Sequence, residues 1–242
     1  EKIMKLSANP FQACLDTILS PLVAFDTVKE KKGWSWLPFI LLTSSTFVLF
    51  IYYFSVVDFT WLKEQMINQI AASKPMTDDE LKAVASFYQK DTMIWTTAIG
   101  GSLGFVVINM LTAVYYHIVT KVSAASEYKF TQWFAFTWWA SFPAIISVVL
   151  SALVIVFAGD GRVSMQDLQP TSFNSLLFSV EANNAWFGLL EAINLFSFWL
   201  IAVTTIGLRS WLNINTQKAF FIAAAPQILI FISWALYIMF IA

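Results

Sequence analysis

The sequence predicts an all-α polytopic membrane protein with five transmembrane helices, an amphipathic N-terminal helix and a helical outer hairpin. Hydrophobic residues fill 58% of the 242 positions, whereas charged residues fill only 12%. A soluble domain carries about 25% charged residues, so this composition is typical of a chain with little mass outside the membrane. Several apolar runs also reach the roughly 20 residues that a spanning helix needs.

Residues 1–37 are predicted to form a cytoplasmic amphipathic segment. Asn9-Pro10 and Ser20-Pro21 each place a capping residue before a proline at a first helical position. Helical spacing puts five apolar side chains on one stripe, namely Phe11, Leu15, Ile18, Leu22 and Phe25. A base cluster follows, formed by Lys29, Lys31 and Lys32. We expect this segment to contact the membrane surface among the headgroups, and the alternative is a helix pair packed under the bundle.

Residues 38–242 are predicted to form one five-helix membrane domain. The spans are expected at Pro38–Val57, Ile94–Val119, Trp133–Ala158, Trp186–Leu208 and Ala219–Ile241. At 1.5 Å per residue, each run can cross the roughly 30 Å hydrocarbon core of a bilayer. The lipid bilayer is therefore the first expected partner.

Two polar loops, residues 58–93 and 159–185, are expected on the outer side. In the first, "SKPM" interrupts a helical hairpin, and "TDDE" matches a capping box between Thr77 and Glu80. The second opens with the turn "GDGR" and is expected to hold one short helix near Phe173–Val180. Its "GDG" lacks the spacing of an EF-hand calcium loop.

Lysine and arginine positions predict the orientation, because these residues favour cytoplasmic loops. With a cytoplasmic N-terminus, nine of the fourteen bases lie inside: Lys2, Lys5, Lys29, Lys31, Lys32, Lys121, Lys129, Arg209 and Lys218. The other five, Lys63, Lys74, Lys82, Lys90 and Arg162, lie outside. Five spans then put the C-terminus outside, in a multi-pass protein of the cell inner membrane.

Small residues in two spans predict close helix packing. Gly100 and Gly104 form a G-x-x-x-G motif in the second span. The third span has small side chains at helical spacing, namely Ala140, Ala144, Ser147 and Ser151. Small residues let helices approach closely in lipid, so these positions indicate a bundle and are compatible with an oligomer.

The fourth predicted span contains an acidic residue, Glu191. On a continuous helix, one largely polar face would carry Glu191, Asn194, Phe198, Ala202, Thr205 and Arg209. Such a face should point to the bundle interior or to water, because polar groups in lipid are expensive. Glu191 has two possible roles, as a structural anchor that accepts hydrogen bonds from donors such as Gln227 or a tryptophan, or as part of a permeation path.

Signals of catalysis or of metal binding are weak. The chain has one cysteine, Cys14, and one histidine, His117, which cannot form a disulfide or a zinc cluster by themselves. Zinc-protease, nucleophile-elbow and phosphate-loop motifs do not occur. The formal charge of −1 argues against a nucleic-acid partner. We therefore expect a protein that is not an enzyme, with no cofactor.

Two stretches resemble a known family. "NLFSFWLIAVTTIGLRSWLNINTQKAFFIA", residues Asn194–Ala223, is similar to the end of the Yip domain, the family named after Ypt/Rab-interacting membrane proteins. "ILSPLVAFDTVKEKKGWSWLPF", residues Ile18–Phe39, looks like its bacterial "P-x-x-x-F" helix, basic stretch and proline-led first span. The resemblance implies five spans and a cytoplasmic N-terminus. Eukaryotic members bind Rab GTPases and shape secretory membranes, and some bacterial members are thought to accompany transport or secretion machinery.

The resulting functional expectation is a non-enzymatic integral membrane protein. It would act as a scaffold, an accessory subunit or a membrane-shaping factor, with a membrane-protein partner or a second copy of itself. The alternative is a small channel or transporter, with Glu191, Asn194, Thr205 and Arg209 along its path. A channel should show a continuous wet polar track that includes Asn109, Thr112 and Tyr116, whereas a scaffold should show these groups paired.

Overall fold

The structure is a computed structural model, and it describes residues 6–73 and 76–240. Within these ranges the regular elements are helical, apart from one isolated antiparallel bridge between Ser172 and Asn194. The all-α prediction is thus confirmed. Lys2, Lys5, Lys74 and Ile241, which entered the predictions of orientation and of the last span, lie outside the described residues.

The helices follow one another along the chain, and residues 158–186 form a long loop between two of them. They are α1 (Pro10–Leu19), α2 (Pro21–Val28), α3 (Trp36–Val56), α4 (Phe59–Ser73), α5 (Asp78–Phe87), α6 (Lys90–Ala124), α7 (Phe130–Ser141), α8 (Ile145–Phe157), α9 (Phe187–Ala192), α10 (Leu195–Leu212) and α11 (Thr216–Phe240). A 3₁₀ turn at Phe142–Ala144 joins α7 to α8, and a π turn occupies Asn174–Phe178.

Five helical segments are long and apolar enough to cross a membrane, as predicted. These segments are α3, α6, the joined α7–α8 at Phe130–Phe157, α10 and α11. The predicted hairpin is also confirmed, since α4 and α5 flank the break. Thr77 N donates to Glu80 Oε2 at 2.7 Å, and Glu80 N donates to Thr77 Oγ1 at 3.4 Å, which completes the capping box.

The fourth span begins later than the sequence suggests. A continuous helix from Trp186 was predicted, but α9 ends at Ala192 and α10 begins at Leu195. Between them Ile193 is extended, with φ −83° and ψ 117°. Its carbonyl accepts from Phe173 N at 2.7 Å, and Leu195 N donates to the carbonyl of Thr171 at 3.1 Å. The backbone of this stretch therefore pairs with the preceding loop, and the prediction of one unbroken helix is wrong here.

Residue contacts divide the chain into two compact units. The first unit comprises Glu1–Ser44, Leu103–Ile145 and Phe196–Ile230, and the second comprises Ser45–Ser102, Ile146–Leu195 and Phe231–Ala242. Aromatic side chains dominate the core of the first unit, in which Phe136 lies 5.0 Å from Trp211 and 5.4 Å from Trp133 between ring centroids.

Side chains of the second unit hold the loop at residues 159–185 by hydrogen bonds to its backbone. Tyr53 OH donates to the carbonyl of Val163 at 2.7 Å, and Ser151 Oγ donates to the carbonyl of Leu168 at 2.5 Å. Gly161 adopts a φ of +72°, and a Cβ there would lie 2.8 Å from the carbonyl oxygen of Val56. Only glycine fits this close approach without strain.

Candidate membrane-surface site

Helices α1 and α2 form the candidate site. Asn9 caps the start of α1. Asn9 Oδ1 accepts from Gln12 N at 2.9 Å, which satisfies one free backbone donor of α1. The predicted side-chain cap at Ser20 does not form. Instead, the backbone N–H of Ser20 donates to the carbonyl of Asp16 at 2.7 Å, which ends α1 just before Pro21 begins α2.

Helix α1 exposes an apolar edge. Phe11, Leu15 and Leu19 are 66%, 60% and 76% exposed, and their spacing of four residues puts them on one face. The opposite face is buried in the first unit through Ala13, Cys14 and Thr17. A helix that buries small residues and exposes large apolar ones is suited to contact with lipid. Below we call Phe11, Leu15 and Leu19 the apolar edge.

Helix α2 packs into the core instead. The Phe25 side chain is fully buried, with its ring 5.1 Å from that of Phe136, and its carbonyl accepts from Trp211 Nε1 at 3.3 Å. A Cβ on Gly207 would lie 2.8 Å from the Phe25 ring, so only glycine permits this approach. The predicted stripe therefore divides, since Phe11 and Leu15 are exposed, Ile18 and Leu22 are half-buried, and Phe25 belongs to the core.

A polar link fixes the end of α2 near the base cluster. Asp26 Oδ1 accepts from Ser210 Oγ at 2.6 Å and from Lys29 Nζ at 2.9 Å. Burial raises the pKa of the Asp26 carboxyl, but the hydrogen bonds from Ser210 and Lys29 and the charge of Lys29 outweigh it, so the pKa lies below its usual value. Lys31 Nζ lies 5.7 Å from the centre of the Trp34 ring, a cation–π distance.

Glu191 has a hydrogen-bond partner, although not one of the expected donors. Asn174 Nδ2 donates to Glu191 Oε1 at 3.0 Å, and Asn174 also exchanges two hydrogen bonds with the backbone of Val180. The expected candidates were Gln227 and the tryptophan indoles, whereas the donor lies on the π turn, seventeen residues before Glu191. Glu191 Oε2 is buried and has no hydrogen-bond partner.

The other members of the predicted polar stripe lie beyond the break in the helix. Asn194 belongs to the bridge with Ser172, so neither it nor Glu191 shares a helical face with Thr205. Thr205 is buried and its Oγ1 donates to the carbonyl of Ile201 at 2.7 Å, while Arg209 is exposed on the last turn of α10.

Polar groups expected along a wet track are hydrogen-bonded. Asn109 is buried, and it accepts from Ser141 Oγ at 3.0 Å and donates to the carbonyl of Phe105 at 3.0 Å. Thr112 Oγ1 donates to the carbonyl of Ile108 at 2.8 Å. Among the described residues there is no group of three or more His, Cys, Asp or Glu side chains that could hold a metal ion.

The small residues occupy different kinds of position. A Cβ at Gly100 or Gly104 would meet nothing within 4 Å, whereas one at Gly101 would lie 2.9 Å from the Phe50 ring. The close helix approach of the second span is therefore at Gly101. In the third span Ala140 and Ser151 are buried, and Ala144 and Ser147 are half-buried. The sequence did not point to Gly101, because Gly101 is not one of the two glycines of the G-x-x-x-G motif.

Comparison with known proteins identifies the family. A family model described as the Yip1 domain matches residues 15–238, nearly the whole chain. No curated protein and no solved structure matches the chain. The matched range includes α2, the base cluster, the first four candidate spans and all but the last two residues of the fifth. Together with the five apolar helices, this match shows that the chain is a membrane protein of the Yip1 domain family.

Proposed function

We propose that this protein is a non-enzymatic membrane-shaping factor, with α1 acting as a wedge in one leaflet. The observation that carries the proposal is the apolar edge, three large side chains exposed on a helix whose other face is packed into the first unit. Amphipathic helices that bury apolar side chains near the headgroups respond to membrane curvature.

The length of α1 supports insertion into a single leaflet. Its ten residues extend about 15 Å at 1.5 Å per residue, half of the roughly 30 Å hydrocarbon core. A spanning helix adds cross-section to both leaflets, whereas a helix of this length adds area to one. That asymmetry favours a membrane that is convex on the side that carries the wedge.

The contacts of α1 place it beside a spanning segment. The helix packs against the turn Phe142–Ala144, and Phe142 follows Phe130, the first residue of the third spanning segment, by twelve residues. Twelve helical residues correspond to about 18 Å. Contact at that distance along α7 supports a helix α1 embedded among lipids, and the buried Phe25 anchors the following helix, α2.

The remaining parts of the proposal concern orientation and partners. We propose that residues 1–37 are cytoplasmic, that residues 38–242 form the membrane domain with residues 58–93 and 159–185 outside, and that the C-terminus is outside in a cell inner membrane. The open surface around Gly100 and Gly104 supports contact with a membrane-protein partner or a second copy, because small residues permit close approach.

Curvature sorting tests the wedge. The full chain with Glu127→Cys is reconstituted into vesicles of graded diameter and labelled with an impermeant fluorophore, so that only copies with residue 127 outside are counted. Glu127 is exposed, whereas Cys14 is buried and burial raises its pKa to about 12, so the native thiol should react slowly. Protein density per membrane area should rise as the vesicle diameter falls.

A matched pair of triple variants isolates the apolar edge. Phe11→Ala, Leu15→Ala and Leu19→Ala together should flatten the dependence on diameter. The control, Phe221→Ala, Leu229→Ala and Leu236→Ala, removes the same side chains from exposed positions of α11 and should sort like the parent. A parent density independent of diameter, or equal loss in both triple variants, would refute the wedge.

The channel alternative has no supporting observation among the described residues. Asn109, Thr112 and Thr205 use their polar atoms within the protein, and the helix is interrupted between Glu191 and Thr205. We therefore advance membrane shaping as the single proposed function.

A further inference from the structure

We infer that the first unit binds one anionic glycerophospholipid, with the phosphate in a lysine-lined cavity and an acyl chain in an adjoining apolar cavity. Both cavities involve residues of the first unit only. The inference concerns a specific binding site, and it does not depend on the wedge formed by α1.

The polar cavity lies between the connection from α2 to α3 and the first turn of α7. It measures about 650 Å³, within the range of small-molecule sites. Four lysines line it against one acidic side chain, Glu30; the lysines are Lys29, Lys31, Lys32 and Lys129. The sequence predicts a cluster of three of these lysines, and the fold adds Lys129, nearly a hundred residues later in the chain.

Of the four lysines, Lys32 and Lys129 are the two best able to bind an incoming anion. Lys29 is paired with Asp26, and Lys31 lies over the Trp34 ring. In the part of the chain that the structure describes, neither Lys32 nor Lys129 has a carboxylate within 4 Å. An ammonium group is a compact point charge that binds phosphate well, so this cavity favours an anionic phosphate ligand.

The apolar cavity makes the expected ligand a lipid. It measures about 430 Å³, and Phe39, Val106, Phe134 and Trp138 form its apolar wall. Four residues line both cavities and mark the junction between them: Ser35, Trp36, Thr131 and Ala135. A ligand that fills both compartments needs an anionic head and a hydrocarbon tail.

The junction suits the glycerol ester region of such a lipid. Ser35 and Thr131 supply hydroxyl groups, which can donate hydrogen bonds to ester carbonyls. Trp36 is 65% exposed, and a tryptophan at this position is typical of the level where headgroups meet acyl chains. A free phosphate or a soluble phosphate ester would contact only the polar cavity.

Native mass spectrometry of the full-length protein in detergent tests the site. The probes are phosphatidylglycerol, phosphatidylcholine with the same acyl chains, and glycerol phosphate without acyl chains. We expect one molecule of phosphatidylglycerol to bind in preference to the other two probes. Equal binding of phosphatidylcholine would refute the role of the lysines, and equal binding of glycerol phosphate would refute a lipid ligand.

Variants assign the binding to these cavities. Lys32→Gln with Lys129→Gln should weaken phosphatidylglycerol binding about 30-fold, whereas the control pair Lys82→Gln with Lys90→Gln, in the second unit, should leave it unchanged. Ala135→Phe should block the junction and reduce binding of the lipid. Equal effects of the two lysine pairs, or normal binding by a folded Ala135→Phe variant, would overturn the inference.

Discussion

Replacing Phe25 by alanine tests whether α2 is an anchor in the core or part of a membrane-facing stripe. The Phe25 side chain is fully buried, and its ring contacts Phe136 at a centroid distance of 5.1 Å. Truncation of a buried phenylalanine costs about 3–5 kcal/mol, because transfer and cavity terms add. The same change at Phe11, which is 66% exposed, should alter the stability by less than about 0.5 kcal/mol.

Thermal unfolding of the full chain in one detergent, followed by loss of the monodisperse peak, measures the difference. On the scale of a globular protein of this size, 1 kcal/mol shifts Tm by about 2–4 °C, so Phe25→Ala should lower Tm by roughly 6–20 °C. Phe25→Leu retains most of the buried volume and should lose less than half as much.

The comparison between Phe25 and Phe11 can refute both the anchoring role of Phe25 and the free apolar edge of α1. If Phe25→Ala unfolds within about 2 °C of the parent, Phe25 does not anchor α2. If Phe11→Ala is as destabilised as Phe25→Ala, the exposed edge of α1 is instead part of a packed interface. Either outcome would remove the structural basis of the wedge, because the wedge needs a buried anchor and a free apolar edge.

The remaining predictions use the same assay. Gly207→Ala should destabilise the protein by about 1–3 kcal/mol, since its Cβ would lie 2.8 Å from two phenyl rings, while Gly104→Ala has open space and should be neutral or slightly stabilising. Similar Tm shifts for both would contradict the tight contact at Gly207. Glu191→Gln should be at least as stable as the parent, because the acceptor for Asn174 remains and a neutral amide costs less to bury than a carboxylate. Glu191→Leu should cost about 1–3 kcal/mol, and a Leu variant as stable as the Gln variant would exclude an anchoring role.

Features that depend on local composition were predictable from the sequence. The number of spans follows from apolar length, and the α4–α5 hairpin follows from a breaker and a capping box within four residues of each other. The start of α1 at Asn9-Pro10 is likewise local, because the cap and the proline act on adjacent backbone. In these places a short stretch contains all the partners of the interaction that matters.

Pairing between distant residues could not be predicted. The stretch "LLEAIN" has ordinary helical periodicity, and only the backbone of Thr171 and Phe173 makes Ile193 extended. For the same reason the donor to Glu191 was expected on another span, whereas Asn174 supplies it from the loop. Hydrogen bonds to a non-neighbouring segment leave no periodic signal in the sequence.

The two faces of the N-terminal segment show the same division. The sequence by itself determined that apolar side chains recur from Phe11 to Phe25 and that lysines follow, since spacing and charge are local properties. Only the tertiary structure decided that Phe25 enters the core opposite Gly207 while Phe11 stays exposed, and that Lys129 joins the base cluster. Burial depends on which segments meet in space, and helical periodicity specifies a face of a helix without specifying what covers it.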